Sequence, residues 1–302
     1  MVFSGKRPLH GWLVVDKPVG PGSTQVLGRV KYLLKPEKAG HGGTLDPLAS
    51  GILPIAFGEA TKTVPWVMDA LKTYRFTARW GEARNTDDAE GEVTATSPVR
   101  PGAEDIHRIL PLFHGDILQV PPAYSALKIG GQRSYTLARG GQDVEHAPRR
   151  VRVDRLSLVD CPDPDRAVFE VVCGKGTYVR SLARDMALKL GTVGYVSGLR
   201  RLAVGPFSLK DALALPDLEA AGPEAVLARI IPLEKALATL PVLEVTAGEA
   251  LALSRGQALE ARSRDTEGGV FLVMHRAHPV ALASIRDGKI RVLRGLNMPG
   301  TS

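Results

Sequence analysis

The chain has 302 residues, 44% of them hydrophobic, and is long enough for one large domain or for a large and a small one. Its 39 lysines and arginines against 32 aspartates and glutamates give a net charge of +7, which favours a polyanionic partner such as nucleic acid. Two cysteines, Cys161 and Cys173, lack the spacing of a disulfide framework or zinc site, and without a signal peptide or membrane span we expect a cytoplasmic protein.

Strands and helices follow one another along the first 240 residues, as the spacing of apolar side chains indicates. In chain order, we predict a strand at 12–15, a helix at 23–34 with Ser23 as its N-cap, a strand at 52–57, a helix at 63–71, a strand at 74–80, a helix at 101–113 and a strand at 116–120. Strands at 151–159 and 167–173 then precede a helix at 179–190, a strand at 195–204 and a helical region at 212–240.

Because these strands and helices do not alternate strictly, a doubly wound parallel sheet is disfavoured. We expect an α+β catalytic domain over residues 1–240, built on a mixed, mainly antiparallel sheet. From residue 241 to 302, short strand candidates separated by turns indicate a small β-rich domain. Those candidates lie at 242–245, 270–274, 279–285 and 289–293.

One segment of the large domain differs from the rest in composition. Residues 128–152 are polar, glycine-rich and basic, and they show weak helical periodicity at 134–139. Such a composition is typical of a surface segment that carries function rather than core. We therefore predict a mobile insertion over 128–152.

Asp46 is the acidic residue of a glycine-rich loop within the stretch KAGHGGTLDPLASGILPIAFGEATK, residues 38–62. The glycines before it permit tight turns and the close approach of a ligand, while Pro47 biases Asp46 away from helical geometry. An aspartate before a proline is often a turn initiator and nothing more. In this setting, however, Asp46 is the carboxylate best placed for chemistry.

Several other kinds of site lack the residues that they need. The loop has no Gly-Lys-Ser/Thr ending and no GxGxxG follows the first strand, so we expect no nucleotide cofactor. Neither HExxH nor a His-plus-two-Cys pattern is present, and nothing completes a ligand set with His41 and Asp46, so we expect no metal. A serine hydrolase would need a GxSxG elbow, and the surroundings of Ser50 are wrong for one.

Five motifs together resemble the bacterial TruB-type tRNA pseudouridine-55 synthases. They are DKPVG at 16–20, the 38–62 stretch, QVPPAYSALK at 119–128, CGKGTYVRSLARD at 173–185 and GLRRLAVGPF at 198–207. The motifs occur in the family's order and cover roughly residues 10–240. The C-terminal domain is similar to the family's PUA-type RNA-binding domain, though with a weak motif signal.

The resemblance implies a catalytic centre. Asp46 would attack C1′ of the target uridine or remove its C2′ proton, and the sequence leaves both routes open. Arg180 would pair with Asp46, and Tyr74 would stack on the base and help to remove the C5 proton. Tyr178 and Leu199 would line the same pocket. Taken singly, each of these residues has an ordinary structural interpretation in the core or on the surface.

The resemblance also implies how the RNA is held. His41 would enter the RNA fold where the uridine is extruded from the TΨC arm of tRNA. Lys17 and Lys62 match substrate-binding positions, and with Asp88 they would serve structure or phosphate positioning. The 128–152 insertion would close over the RNA. The expected enzyme is a monomer that needs no metal and no cofactor.

Two positions depart from the family's pattern. The family commonly has serine or threonine where this chain has Gly22, and threonine where it has Gly42. With two hydroxyls missing, we expect main-chain groups or water to replace them and the Asp46 loop to be more mobile without RNA.

Two alternatives to a stand-alone tRNA enzyme remain. The first is the guide-RNA-dependent relative of archaea and eukaryotes, which shares the Asp46 loop but normally needs accessory proteins. The second is a non-catalytic protein that folds or binds tRNA. The basic insertion argues for a direct grip on tRNA, and the joint presence of Asp46, Tyr74, Tyr178 and Arg180 argues for catalysis.

Overall fold

The computed structural model describes residues 5–298 apart from 126, 141, 143, 145 and 263–267. Its helices are α1 (Ser23–Leu34), α2 (Val64–Asp69), α3 (Ala103–Ile109), α4 (Ser134–Arg139), α5 (Val179–Lys189), α6 (Leu215–Leu227), α7 (Leu233–Ala236) and α8 (Ala247–Ser254). Short 3-10 segments lie at Gly58–Thr63, Leu110–Phe113 and Leu209–Asp211.

The strands up to residue 204 are β1 (Gly11–Lys17), β2 (Ala39–His41), β3 (Ala49–Phe57), β4 (Lys72–Trp80), β5 (Glu82–Arg84), β6 (Val93–Thr96), β7 (Gly115–Gln119), β8 (Lys128–Ile129), β9 (Gln132–Arg133), β10 (Arg149–Asp163), β11 (Arg166–Cys173) and β12 (Gly194–Val204). The later strands are β13 (Phe207–Ser208), β14 (Ala212–Ala214), β15 (Val242–Glu244), β16 (Leu259–Glu260), β17 (Val270–His275), β18 (His278–Arg286) and β19 (Lys289–Gly295).

One sheet of ten strands forms the framework of the large domain. Its order is β14-β1-β3-β12-β4-β11-β10-β7, with β2 beside β3 and β13 beside β12. The β1–β14 and β3–β12 pairs are parallel, and the other described pairs of this sheet are antiparallel. The expected mixed, mainly antiparallel sheet is confirmed.

Apolar clusters cover the sheet. In one of them Phe76 stacks on Phe169 with ring centroids 5.1 Å apart, beneath the buried face of α5. In another, α1 and α6 pack against β1 and β3. β3 is buried along nearly its whole length, which explains why its sequence is a continuous apolar run without alternation. The start of this buried strand follows the Asp46 loop directly.

Several predicted boundaries were wrong. Gly22, not Ser23, is the N-cap of α1, because the Ser23 hydroxyl is turned inwards and bonds the backbone of Leu45. The predicted 63–71 helix is shorter than expected, spanning Val64–Asp69, and a 3-10 segment at Gly58–Thr63 precedes it. The predicted 212–240 helical region begins with strand β14, and Gly222, with φ +77°, breaks α6 before Pro223.

The predicted insertion contains helix α4 over 134–139, as its periodicity indicated. Its last residues, from Arg149, already belong to β10, which pairs with β7. The insertion is therefore shorter at its C-terminal end than predicted. Residues 141, 143 and 145 of this segment lie outside the described part of the chain.

The C-terminal domain is built on a five-stranded sheet in the order β15-β17-β18-β19-β16. It also contains α8, which sequence reasoning missed although Thr246 and Glu249 form a capping box at its start. The two domains share one apolar cluster, in which Trp12 of β1 lies with Leu272 and Leu282 of the second sheet. The second sheet is therefore packed directly on the first.

We predict opposite effects of adding a side chain at the two unusual glycines. A Cβ on Gly22 would meet little but the Gln25 side chain at 3.8 Å, so Gly22→Ser should cap α1 and raise the free energy of unfolding by a few tenths, about 0.3 kcal/mol. A Cβ on Gly42 would lie 3.2 Å from Val67 and 3.3 Å from Trp12, so Gly42→Ala should cost about 1–3 kcal/mol. Urea denaturation measures both, and equal stabilities would contradict the packing at Gly42.

Candidate active site

Asp46 borders two adjoining cavities. The first, which we call the base pocket, has a volume of about 270 Å³, and the second, on the other side of Arg180, has about 610 Å³. The base pocket is bounded by Asp46, Lys72, Tyr74, Tyr178, Arg180, Leu199 and Arg201, among others. The structure thus brings together the predicted catalytic residues and two of the five predicted substrate-binding ones.

Arg180 forms an ion pair with the Asp46 carboxylate. Its Nη2 lies 3.0 Å from Oδ2 of Asp46, and the arginine side chain is 5% exposed while that of Asp46 is 39% exposed. Two carbonyls, of Thr86 and Tyr124, accept further hydrogen bonds from the guanidinium at 2.9 Å each. A charge-assisted contact of this kind orients a carboxylate and leaves its open side free for a ligand.

Asp88 supplies a second carboxylate to the same arginine. Its Oδ2 lies 3.2 Å from Nη1 of Arg180, and its side chain is 4% exposed. Asp88 is itself fixed by the Thr86 hydroxyl at 2.6 Å and the Glu90 amide at 3.0 Å. The predicted structural role of Asp88 thus takes a definite form, which is to fix the guanidinium that binds Asp46.

Two tyrosines and a leucine form the walls of the base pocket. Burial raises the pKa of Tyr74, and the neighbouring Arg201 charge partly offsets this effect. Burial also raises the pKa of Tyr178, whose backbone is held in both directions by the side-chain amide of Gln119 at 2.7 and 3.0 Å. Both phenols are therefore neutral near pH 7, and Leu199 adds an apolar surface on which a base can pack.

Side chains from outside the loop hold the backbone on both sides of Asp46. The Ser23 hydroxyl accepts from the Leu45 amide at 2.8 Å and donates to the Leu45 carbonyl at 3.0 Å. Arg201 donates to the carbonyls of Gly43 and Thr44 at 3.1 and 3.3 Å. Gly43 has φ +121°, a conformation that favours glycine at this point of the loop.

Lys17 also supports the loop of Asp46. It is fully buried, and its ammonium donates to the carbonyls of Pro18 and Pro21 at 2.8 Å each and to that of Pro47 at 3.4 Å. Burial lowers its pKa to about 8, an effect that the Asp46 charge partly offsets. These contacts agree with a structural role for Lys17, and its contact with substrate stays a prediction.

Lys62 lies away from the base pocket, between the two domains. Its ammonium donates to Glu59 at 2.6 Å and to the carbonyl of Gly295 in the second sheet at 2.9 Å. Glu59 in turn accepts from the amide of Asn297 at 2.7 Å. These contacts join the domains, so the position of Lys62 does not support the predicted substrate-binding role.

His41 ends strand β2 and lies beside the loop, outside the lining of the base pocket. Burial and the Arg201 charge lower its pKa, which favours the neutral imidazole. Its Nδ1 is buried and has no hydrogen-bond partner among the described residues. A role for His41 toward RNA stays a prediction.

Sequence reasoning missed the functions of Ser23 and Arg201. Ser23 was interpreted as a helix cap, because a serine before an amphipathic helix is the usual signal for one. Arg201 lies within a matched motif but was given no role. The available signal was its place two residues after Leu199 in a strand, which puts both side chains on one face of the sheet.

The insertion contacts the chain that precedes it. His146, within the insertion, lies with Nε2 2.9 Å from the Ser134 hydroxyl and 3.4 Å from that of Ser125. Ser125 precedes the insertion and partly offsets the effect of burial on the pKa of Tyr178. The insertion is thus connected through His146 and Ser125 to the surroundings of Tyr178.

Within the described parts of the chain, no group of three or more His, Cys, Asp or Glu side chains is arranged to hold a metal ion. None of the described helices combines the length and the apolarity needed to cross a membrane.

We predict an unusual pH dependence from Asp87, beside Asp88. Burial raises its pKa from 3.8 to about 6 despite an Arg184 contact at 2.7 Å. A pKa that is higher in the folded state gives stability that is present below pH 3.8 and lost as pH rises through 6. Relative to Asp87→Asn, which tolerates the positive φ of +57°, the wild type should lose on the order of 1–3 kcal/mol from pH 4 to 7.

Urea denaturation at several pH values measures this difference. The exposed Asp217 provides the control, because Asp217→Asn changes a carboxylate at the surface. A difference between wild type and Asp87→Asn that does not vary with pH would contradict the assignment.

Comparison with known proteins identifies the family. Residues 31–179 match the model of the TruB family pseudouridylate synthase N-terminal domain, and residues 180–238 match that of the tRNA pseudouridylate synthase B C-terminal domain. Proteins named tRNA pseudouridine synthase B from Bradyrhizobium diazoefficiens and Rhodospirillum rubrum are 53% and 50% identical to this chain. The alignments cover 98% and 97% of this chain and 88% and 98% of those proteins.

Solved structures show the same fold. A crystal structure of the archaeal box H/ACA Nop10–Cbf5 complex matches with a TM-score of 0.73 at 25% identity, over 97% of this chain and 88% of that one. A Cbf5–Nop10–Gar1 complex matches with a TM-score of 0.73 at 26% identity, over 96% and 84%. With relatives at half identity over nearly the full length, this chain belongs to the TruB family of pseudouridylate synthases.

Proposed function

We propose that this chain converts uridine to pseudouridine at position 55 in the TΨC arm of tRNA. The observation that carries the proposal is a single accessible carboxylate, Asp46, paired with the buried Arg180 at the edge of a pocket walled by Tyr74, Tyr178 and Leu199. The relatives named tRNA pseudouridine synthase B support tRNA as the substrate. The net charge of +7 suits a polyanionic RNA.

The arrangement of carboxylates favours isomerisation over hydrolysis. A hydrolytic glycosidase uses two carboxyl groups on either side of the scissile bond, one of them to protonate the leaving group or to activate water. Here the described lining of the base pocket contains one carboxylate, Asp46, and Asp88, which also pairs with Arg180, is 4% exposed. One carboxylate is sufficient for a reaction that keeps its leaving base in the pocket and joins it again through C5.

Each wall of the pocket has a part in this reaction. Asp46 either attacks C1′ or removes the C2′ proton, while Arg180 orients its carboxylate. Tyr74 stacks on the uracil and assists the loss of the C5 proton after the new bond has formed. Tyr178 and Leu199 hold the base while it rotates, which restricts it to a productive path.

The uridine must leave the RNA stack before it can enter the base pocket. His41, beside the Asp46 loop and with a lowered pKa, is suited as a neutral imidazole to occupy the vacated place. The 128–152 insertion closes over the bound RNA, and the contact of its His146 with Ser125, which borders the second cavity, supports this role. We further propose that the C-terminal domain is a PUA-like RNA-binding domain, and that the enzyme acts as a monomer in the cytoplasm without metal or cofactor.

The two alternatives differ in how well they agree with the comparisons. Proteins named tRNA pseudouridine synthase B share 45–53% identity with this chain, against 25–26% for the Cbf5 complexes. That difference favours the enzyme that acts on tRNA without a guide. A non-catalytic protein would not need a buried arginine fixed between two carboxylates.

We predict that Asp46→Asn abolishes catalysis and leaves tRNA binding nearly unchanged. The amide keeps the shape of the carboxylate but cannot act as nucleophile or base. Purified protein should release tritium from tRNA labelled at uridine C5 without added metal or nucleotide, whereas the variant should not. Asp217→Asn is the matched control at an exposed position. Tritium release by the Asp46 variant would refute the assignment.

We predict that Asp88→Asn slows catalysis on the order of 10²-fold while the Kd for tRNA stays within about threefold. Asp88 does not face the open side of Asp46, but it fixes the guanidinium that orients that carboxylate. Single-turnover rates and filter binding separate the two effects. A variant that lost binding but kept its rate would show that Asp88 contacts RNA instead.

A further inference from the structure

Arg201 carries a buried positive charge that no carboxylate of the described residues neutralises. Arg201 is 1% exposed. Its Nε donates to the Ile52 carbonyl at 2.7 Å, and its two Nη atoms donate to the carbonyls of Thr44 and Gly43. Carbonyls satisfy the hydrogen bonds of a guanidinium but leave its net charge in place.

The neighbouring arginines differ from it in this respect. Arg180 is placed between Asp46 and Asp88, so two carboxylates face its charge. Arg200 forms a bidentate ion pair with the Asp16 carboxylate, with hydrogen bonds of 2.6 and 3.1 Å. Arg201 is therefore the arginine of the base pocket whose field is directed at a ligand and not at a protein carboxylate.

Other groups near the pocket respond to this charge. The pKa of Lys72 is lowered to about 8, first by burial and next by the charge of Arg201. The charge of Arg201 also contributes to the lowered pKa of His41. Cations that are destabilised at this place indicate that an anion would be stabilised there.

The strand register places the charge against the base. Arg201 is the direct partner of Tyr74 in the β4–β12 pair, and Leu199 lies on the same face two residues earlier. All three residues border the base pocket together with Asp46. A uracil that stacks on Tyr74 and packs on Leu199 therefore lies beside the guanidinium.

The proposed reaction creates a negative charge on that base. When the N1–C1′ bond breaks, both of its electrons move to N1, and the resulting uracil anion delocalises its charge to O2 and O4. C1′ either gains a bond to an Asp46 oxygen or forms a double bond to C2′ as the C2′ proton passes to Asp46. The anion then bonds to C1′ through C5, as the bond between C1′ and Asp46 breaks or as Asp46 returns its proton to C2′, and the C5 proton leaves last to solvent.

We propose that Arg201 stabilises the uracil anion formed when the glycosidic bond breaks. This inference rests on the proposed function and adds a catalytic residue to it. The charge is already oriented by its three carbonyl contacts, so it needs no reorganisation during the reaction. Asp46 and Arg180 then act on the ribose, and Arg201 acts on the leaving base.

A substrate with a better leaving base tests the proposal. The fluorine of 5-fluorouridine withdraws electrons and stabilises the base anion without help from the protein. Arg201→Gln removes the charge but keeps an amide that can donate to the loop carbonyls. Its single-turnover rate should fall about 10²–10³-fold on uridine tRNA and by about tenfold or less on 5-fluorouridine tRNA. Loss of the starting nucleoside after digestion of the RNA measures both rates.

Arg200→Gln is the matched control, because it removes an adjacent arginine whose charge Asp16 already balances. It should change both rates by the same factor. Arg201→Lys keeps a positive charge but loses the guanidinium's contacts with the loop carbonyls. Its single-turnover rate should therefore fall by the same factor on the two RNAs. This variant gives the comparison if Arg201→Gln does not fold, as judged by circular dichroism and tRNA binding.

Two results would overturn the inference and can be told apart from failure of the proposed function. If Arg201→Gln slows both RNAs equally, Arg201 supports the loop and does not stabilise the anion. If the rate of Arg201→Lys falls by a larger factor on uridine tRNA than on 5-fluorouridine tRNA, a positive charge alone does not stabilise the base anion. Wild-type protein that converts neither RNA would instead refute the proposed function.

Discussion

The site depends on how tightly the backbone on either side of Asp46 is held. The carbonyls of Gly43, Thr44, Leu45 and Pro47 are bound by side chains of Arg201, Ser23 and Lys17, which come from three different elements. The loop is therefore held at several points by side chains from outside it, although it is neither a helix nor a strand. A carboxylate mounted in this way needs little further ordering when substrate arrives, which is the entropic advantage of a preformed site.

The same contacts concentrate positive charge around one accessible carboxylate. Lys17, Arg180 and Arg201 are all buried, and of these Arg180 is faced by carboxylates at ion-pair distance. Burial of a charge that no carboxylate balances lowers the free energy of unfolding, so this arrangement destabilises the fold. It is suited to a ligand that is polyanionic as a whole and that gains further negative charge on its base during the reaction.

Much of this could be predicted from the sequence because the signals were local. The Asp46 loop, the Arg180 helix and the strand of Tyr74 each follow from short motifs and apolar spacing. The contacts of Lys17 and Lys62 could not be predicted from the sequence. Whether a lysine contacts RNA or a backbone carbonyl depends on which distant segments the fold packs beside it. Ser23 and Arg201 were missed for a related reason. Their partners lie 22 and about 150 residues away in the chain.

Strand β1 runs from the apolar core that the two domains share to the Asp46 loop. Trp12 near its start lies in the apolar cluster with the second sheet, and Lys17 at its end binds the loop that carries Asp46. All seven residues pair with β3, and Val14, Val15 and Asp16 also pair with β14, so the end of the strand that carries Lys17 is held on both sides. A single strand of seven residues thus connects the apolar core that the two domains share with the loop that carries Asp46.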